Sequence, residues 1–191
     1  MLANFQLSLW GIFLAFFFGV ILAEDAFVEI WFEWQLERLP AAAVTDMEFG
    51  SISDILDRNI IVAMGALVAA LIYRHGGVIL VLAWNASTWG AVFACVIRMA
   101  SESHDDSLGV YTIQTLICLL PHVIAEAIGY ILIAMSGVFL SRAMTRYSFQ
   151  SSAFLQVGSA VLNILIAGFM MLLIAAILEA LWAPHAIQFI F

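Results

Sequence analysis

Leu119-Leu120-Pro121-His122-Val123-Ile124-Ala125-Glu126-Ala127-Ile128-Gly129-Tyr130 heads an apolar segment that runs on to Leu140. Proline costs little in the first turn of a helix, because the N–H it lacks has no partner there and its φ is already helical. Pro121 therefore reads as a helix opening. His122 and Glu126 stand four residues apart and share one face of that helix. Gly129 follows about one turn later on nearly the same stripe, where a neighbouring helix can come close. Two ionisable side chains inside a lipid-soluble helix are expensive, so they must face protein or water and not acyl chains. A helix of this kind needs companions.

The composition supplies them. Of the 191 residues, 65% are hydrophobic and 10% charged, with a mean hydropathy of +1.09. Soluble domains run at about 45–50% apolar and about 25% charged, so the expectation is an integral membrane protein. Lysine is absent, and the cations are Arg38, Arg58, Arg74, Arg98, Arg142 and Arg146. A formal net charge of -8 argues against nucleic acid as a partner, since phosphate binding needs a basic surface. The acids gather in 24–57 and 102–106, which read as loops. Cys95 and Cys118 lie in apolar runs and read as buried thiols that fill space; a disulfide between them stays open.

A spanning helix needs about 20 mostly apolar residues. Five segments meet or approach this: 7–23, 59–74, 77–98, 116–140 and 153–181. The expected fold is therefore all-α, a polytopic transmembrane helical bundle of about five spans, forming one integral membrane domain over 1–191. The first segment lacks a basic leader and a clear cleavage site, and its apolar core is too long for a signal peptide. It is expected to be a retained span.

Between the first two spans, Glu29, Glu33 and Glu37 repeat every four residues beside Trp31 and Trp34. One reading is a helix leaving the bilayer and bending along its surface, with the tryptophans at headgroup level. The other is a docking face for a partner protein. Ser51 with Asp54 three residues later has the form of a capping box, opening a short helix ahead of the second span. Ala63, Gly65, Ala66, Ala69 and Ala70 line the second span with small residues, which is how lipid-embedded helices approach closely. Arg74-His75-Gly76-Gly77 reads as a sharp turn, so spans two and three form an antiparallel hairpin. Asn85 places an amide at depth in the third span, with Gly90 nearby. It is either a helix–helix contact or the wall of a polar cavity. His104, Asp105 and Asp106 read as a solvated turn. Glu179, Trp182 and Pro184 read as the end of the last helix.

Arginines near helix ends favour the cytoplasm. Arg74, Arg142 and Arg146 fall on one side in compact turns, and Arg38, Arg58 and Arg98 fall on the other beside many acids; with the basic turns inside and the acidic loops outside, the N-terminus is expected inside and the C-terminus outside. Asn59, His122, Glu126 and Glu179 then come from span ends on the outer side, with Asn85 deeper. These five form the expected intramembrane polar cluster.

In order along the chain, Asp57-Arg58-Asn59-Ile60-Ile61-Val62-Ala63, Trp84-Asn85-Ala86 with Gly90, Pro121-His122-Val123-Ile124-Ala125-Glu126 and Ile174-Ala175-Ala176-Ile177-Leu178-Glu179-Ala180 with Pro184 resemble four blocks of the stage II sporulation protein M family. Ala86 and Val123 stand where that family usually has glycine. The resemblance covers 57–184; the residues before it match no block. It implies a polytopic, non-catalytic membrane component. In spore formers the namesake works with peptidoglycan-degrading partners during engulfment.

The chemistry open to the cluster is limited. His122, Glu126 and Glu179 are of the types that bind zinc or manganese, but no HExxH or equivalent pairing is present. Ser151 and Ser152 have no histidine near them in sequence, and Gly76-Gly77 lacks the rest of a phosphate loop. The expectation is no cofactor and no catalysis. Two main readings follow. The first is a scaffold or assembly partner in a membrane or cell-envelope complex, meeting partners through Glu29, Trp31, Glu33, Trp34 and Glu37 and itself through small-residue faces as a homodimer. The second is a transporter or permease subunit with a polar cavity around His122 and Glu126. An intramembrane metalloenzyme is the third.

Overall fold

A computed structural model describes residues 2–31, 51–103 and 108–187. All its regular elements are helical: α1 (Leu2–Leu22), α2 (Asp25–Trp31), α3 (Ile52–Tyr73), α4 (His75–Ser103), α5 (Leu108–Arg146), α6 (Ser152–Ile177), a π-helical turn (Leu178–Trp182) and α7 (Ala183–Ile187). Among the described residues, four helical stretches are long and apolar enough to cross a membrane: Ile52–Tyr73, His75–Met99, Leu108–Arg146 and Ser152–His185. α1 adds a shorter apolar stretch, Leu7–Leu22. The all-helical polytopic bundle expected from composition is the fold.

The helices are longer than the hydropathy runs; two expected punctuation marks do not punctuate, and a third is shorter than expected. Pro121 lies inside α5, which begins at Leu108. Proline removes one backbone hydrogen bond, and membrane helices tolerate this because neighbouring groups satisfy the freed carbonyl. Pro184 does not stop the last helix. The π turn widens the backbone just before it, and Pro184 lies in α7, which continues from that turn without a break. The hairpin turn is a single residue. Arg74 takes a φ of 53°, and His75, Gly76 and Gly77 already belong to α4. The capping box at Ser51 is present. It opens the whole 22-residue second span and not a short helix ahead of it.

The chain forms two compact units. The first holds Met1–Gly50, Ala83–Pro121 and Leu178–Phe191. In it α1 lies against the later part of α4. A Cβ at Gly90 would run into the Phe13 carbonyl and come within 3.1 Å of the Phe17 nitrogen. Phe13 meets Phe93 edge to face, centroids 5.5 Å apart. No basic residue lies in the last turn of α1. Arg98 of α4 reaches over instead, and its Nη1 donates to the carbonyls of Val20 at 2.7 Å and Ala23 at 2.8 Å. The last carbonyls of a helix, such as that of Val20, have no partner within it, and a cation suits the negative end of the helix dipole; Ala23 follows directly after α1.

The second unit holds Ser51–Leu82 and His122–Ile177. α3 turns Ile55, Asn59, Ala63, Ala66 and Ala70 inward. Its small residues are therefore largely internal, while Gly65 is exposed with open space around it. The opposite face carries Ile61, Met64, Val68 and Ile72, exposed and apolar. A helix apolar on both faces belongs in lipid. α5 and α6 come closest at Gly129 and Gly168. A Cβ on Gly129 would sit 2.6 Å from Leu172 Cδ2 and 3.1 Å from the Gly168 carbonyl, so the close approach expected there is made by α6.

Candidate functional site

The inward stripe of α3 carries Asn59, and one stripe of α5 carries His122, Glu126 and Tyr130 at four-residue spacing. All four side chains are buried: Asn59 is 7% exposed, His122 9%, Glu126 7% and Tyr130 1%. The Tyr130 hydroxyl lies 2.6 Å from Glu126 Oε1 and 3.2 Å from Asn59 Oδ1. One hydroxyl thus joins two helices through two polar side chains distant in sequence.

A phenol has a single hydrogen, so this chain of contacts has two self-consistent arrangements. In one, the carboxyl carries a proton and donates to the phenol, which donates on to Asn59. In the other, the Asn59 amide is turned over, its Nδ2 donates to the phenol, and the phenol donates to an ionised carboxylate. With Oδ1 toward Tyr130, Asn59 Nδ2 is buried without a hydrogen-bond partner. His122 Nδ1 is buried without one as well. Glu126 is bonded to Tyr130, one turn further along the same stripe.

Asn85 is buried, at 8% exposure, and belongs to the first unit, where Gly90 of the same helix meets the α1 backbone. Glu179 also belongs to the first unit, half-buried in the π turn. Among the described residues no three His, Cys, Asp or Glu side chains gather as a metal site. Cys95 and Cys118 are not joined in a disulfide. Of the residues proposed to face partners, Glu29 and Trp31 lie on α2, and Glu33, Trp34 and Glu37 lie outside the described residues, as do His104, Asp105 and Asp106.

Sequence reasoning passed over Tyr130 and the capping role of Arg98. Tyr130 was open to discovery, since it repeats the four-residue spacing that pairs His122 with Glu126. Arg98 was not, because nothing in the chain links it to residues 75 and 78 positions earlier.

These features define a class: a polytopic helical membrane protein in which Glu126, Tyr130 and Asn59 answer one another across two helices. The sequence profile described as Stage II sporulation protein M matches residues 7–184, and the chain belongs to that family. The match extends the resemblance forward over α1. No curated protein and no solved structure matches the chain.

Proposed function

We propose that this protein is a non-catalytic scaffold that assembles or positions partner proteins in a membrane or cell-envelope complex. The observation behind this reading is the bond from Tyr130 to Glu126 and Asn59. A buried carboxyl whose close partner is a phenol of its own helix, held in turn by an amide of α3, fixes helix register. Partner contacts are assigned to the acidic segment carrying Glu29, Trp31, Glu33, Trp34 and Glu37. Self-association is assigned to the exposed side of α3 around Gly65. The protein is placed in a bacterial or archaeal cell membrane, N-terminus inside and C-terminus outside, with Arg74, Arg142 and Arg146 on the cytoplasmic side.

A second reading, a transporter or permease subunit, draws on the two unpartnered atoms, Asn59 Nδ2 and His122 Nδ1. Buried polar atoms of this kind call for a guest such as water or an ion, and an intramembrane carboxyl beside them suits a proton path.

Glu126→Gln separates the two. The scaffold reading expects a folded protein, destabilised by about 1 kcal/mol, with its cross-linking pattern in native membranes retained. It also expects proteoliposomes of the wild-type chain to pass protons no faster than empty vesicles. Proton or solute flux in the wild type that Glu126→Gln abolishes would overturn the scaffold reading in favour of transport.

A further inference from the structure

At the other end of the second unit, α5 and α6 part. They touch backbone to side chain at Gly129 and Gly168, yet toward the turn that joins them they leave a cleft of about 350 Å³. That is within the range of small-molecule sites, about 300–1,000 Å³. The α6 wall is Val157, Ala160, Val161 and Ile164, spaced as one apolar stripe of a helix. The α5 wall ends in two arginines one turn apart, Arg142 and Arg146, both exposed. An apolar cleft lined also by two arginines has the polarity of a phospholipid.

The surroundings agree. Residues 74–77 and 141–152 contain Arg74, Arg142 and Arg146 and no Asp or Glu. Among the described residues no carboxylate pairs with Arg142 or Arg146. Arg142 is engaged on one side only, where its Nη2 lies 2.7 Å from His75 Nε2. The Arg74 guanidinium stands 3.5 Å from the hydroxyls of Ser141 and Thr145, adding a third positive charge. Tyr147, which lines the cleft, is 38% exposed, as aromatic side chains are at headgroup level. The negative end of the α5 dipole accounts for a cation in the last turn. It does not account for the second arginine, the missing acids or the open apolar wall.

We infer that this cleft binds one anionic phospholipid, its phosphate held by Arg142 and Arg146 and an acyl chain lying along Val157, Ala160, Val161 and Ile164. Guanidinium suits the role because its fork of donors matches two phosphate oxygens at once. Basic recesses between membrane helices on the cytoplasmic side are the usual setting for such headgroups. The site lies 16 residues along α5 from Glu126, about 24 Å at 1.5 Å per residue, so it stands or falls independently of the polar cluster.

The test uses the full chain reconstituted in phosphatidylcholine with a minority of phosphatidylglycerol. Native mass spectrometry counts the lipids retained, and thermal unfolding monitors the fold. The wild type is expected to retain phosphatidylglycerol over phosphatidylcholine. Arg146→Gln should lower that preference about five-fold, the factor for one arginine at about 1 kcal/mol. Ala160→Phe should reduce retention of phosphatidylglycerol with every charge in place. If one variant fails to fold, the other decides. Equal retention of the two lipids by the wild type, or wild-type preference in the folded variants, overturns the inference. So does displacement of phosphatidylglycerol by inorganic phosphate, which would make the site one for a soluble anion.

Discussion

The middle and the C-terminal end of α5 handle polar groups in opposite ways. At Glu126 the helix buries a carboxyl and answers it with Tyr130 and Asn59, while α6 closes in until only glycine fits at 129 and 168. At Arg142 and Arg146 the helix leaves cations exposed, and α6 draws away to leave an apolar cleft. A charge deep in hydrocarbon has no solvent to call on, so its partners must be built into the fold. A charge at headgroup level has water and lipid phosphate within reach, so its partner can come from outside. Arg98 in the first unit resembles Glu126 in this respect. Its Nη1 donates to the Val20 and Ala23 carbonyls of the same unit.

This contrast can be broken by mutation. The largest loss is expected from Gly129→Leu, where the added side chain meets Leu172 and the Gly168 carbonyl; overpacking of this kind costs about 3 kcal/mol. Gly158→Leu is its control, since nothing lies within 4 Å of a Cβ there, and thermal unfolding in detergent should show a change within about 0.5 kcal/mol. Equal losses from both would mean that the helices do not close at Gly129. Arg98→Gln is next, at about 2 kcal/mol, because two charge-assisted hydrogen bonds to the Val20 and Ala23 carbonyls are lost. Faster hydrogen exchange in the last turn of α1 is the accompanying sign, and an unchanged exchange rate would show that Arg98 does not cap that helix. Tyr130→Phe removes the hydroxyl shared by Glu126 and Asn59 and should cost about 1 kcal/mol, the scale of interhelical hydrogen bonds in membranes. A double-mutant cycle with Asn59→Ala should then give a coupling of similar size, and additivity would show that the two do not communicate. Arg146→Gln should be the mildest, within about 0.5 kcal/mol in unfolding, its effect read instead in lipid preference.

Much of the fold was legible from the chain because the solvent dictates it. A segment immersed in hydrocarbon must satisfy its own backbone, and a helix does so; the apolar runs therefore become helices whatever surrounds them. The Ser51 cap was legible for a similar reason, since its bonds span three residues. Helix ends were less so. Pro121 and Pro184 carry local signals for a boundary, and both were overridden by backbone continuity that reaches past them.

The sequence by itself determined that this is a polytopic helical membrane protein, which residues are too polar to face lipid, and which of them share a helix face. Those properties follow from composition and from 3.6 residues per turn, and both are local. Only the tertiary structure decided that Asn59 reaches Glu126 through Tyr130, that α4 lends Arg98 to the end of α1, and that α5 and α6 close at one end and open at the other. Such pairings join residues dozens of positions apart. They depend on which helices become neighbours and at what rotation, and no periodicity within a single helix carries that information.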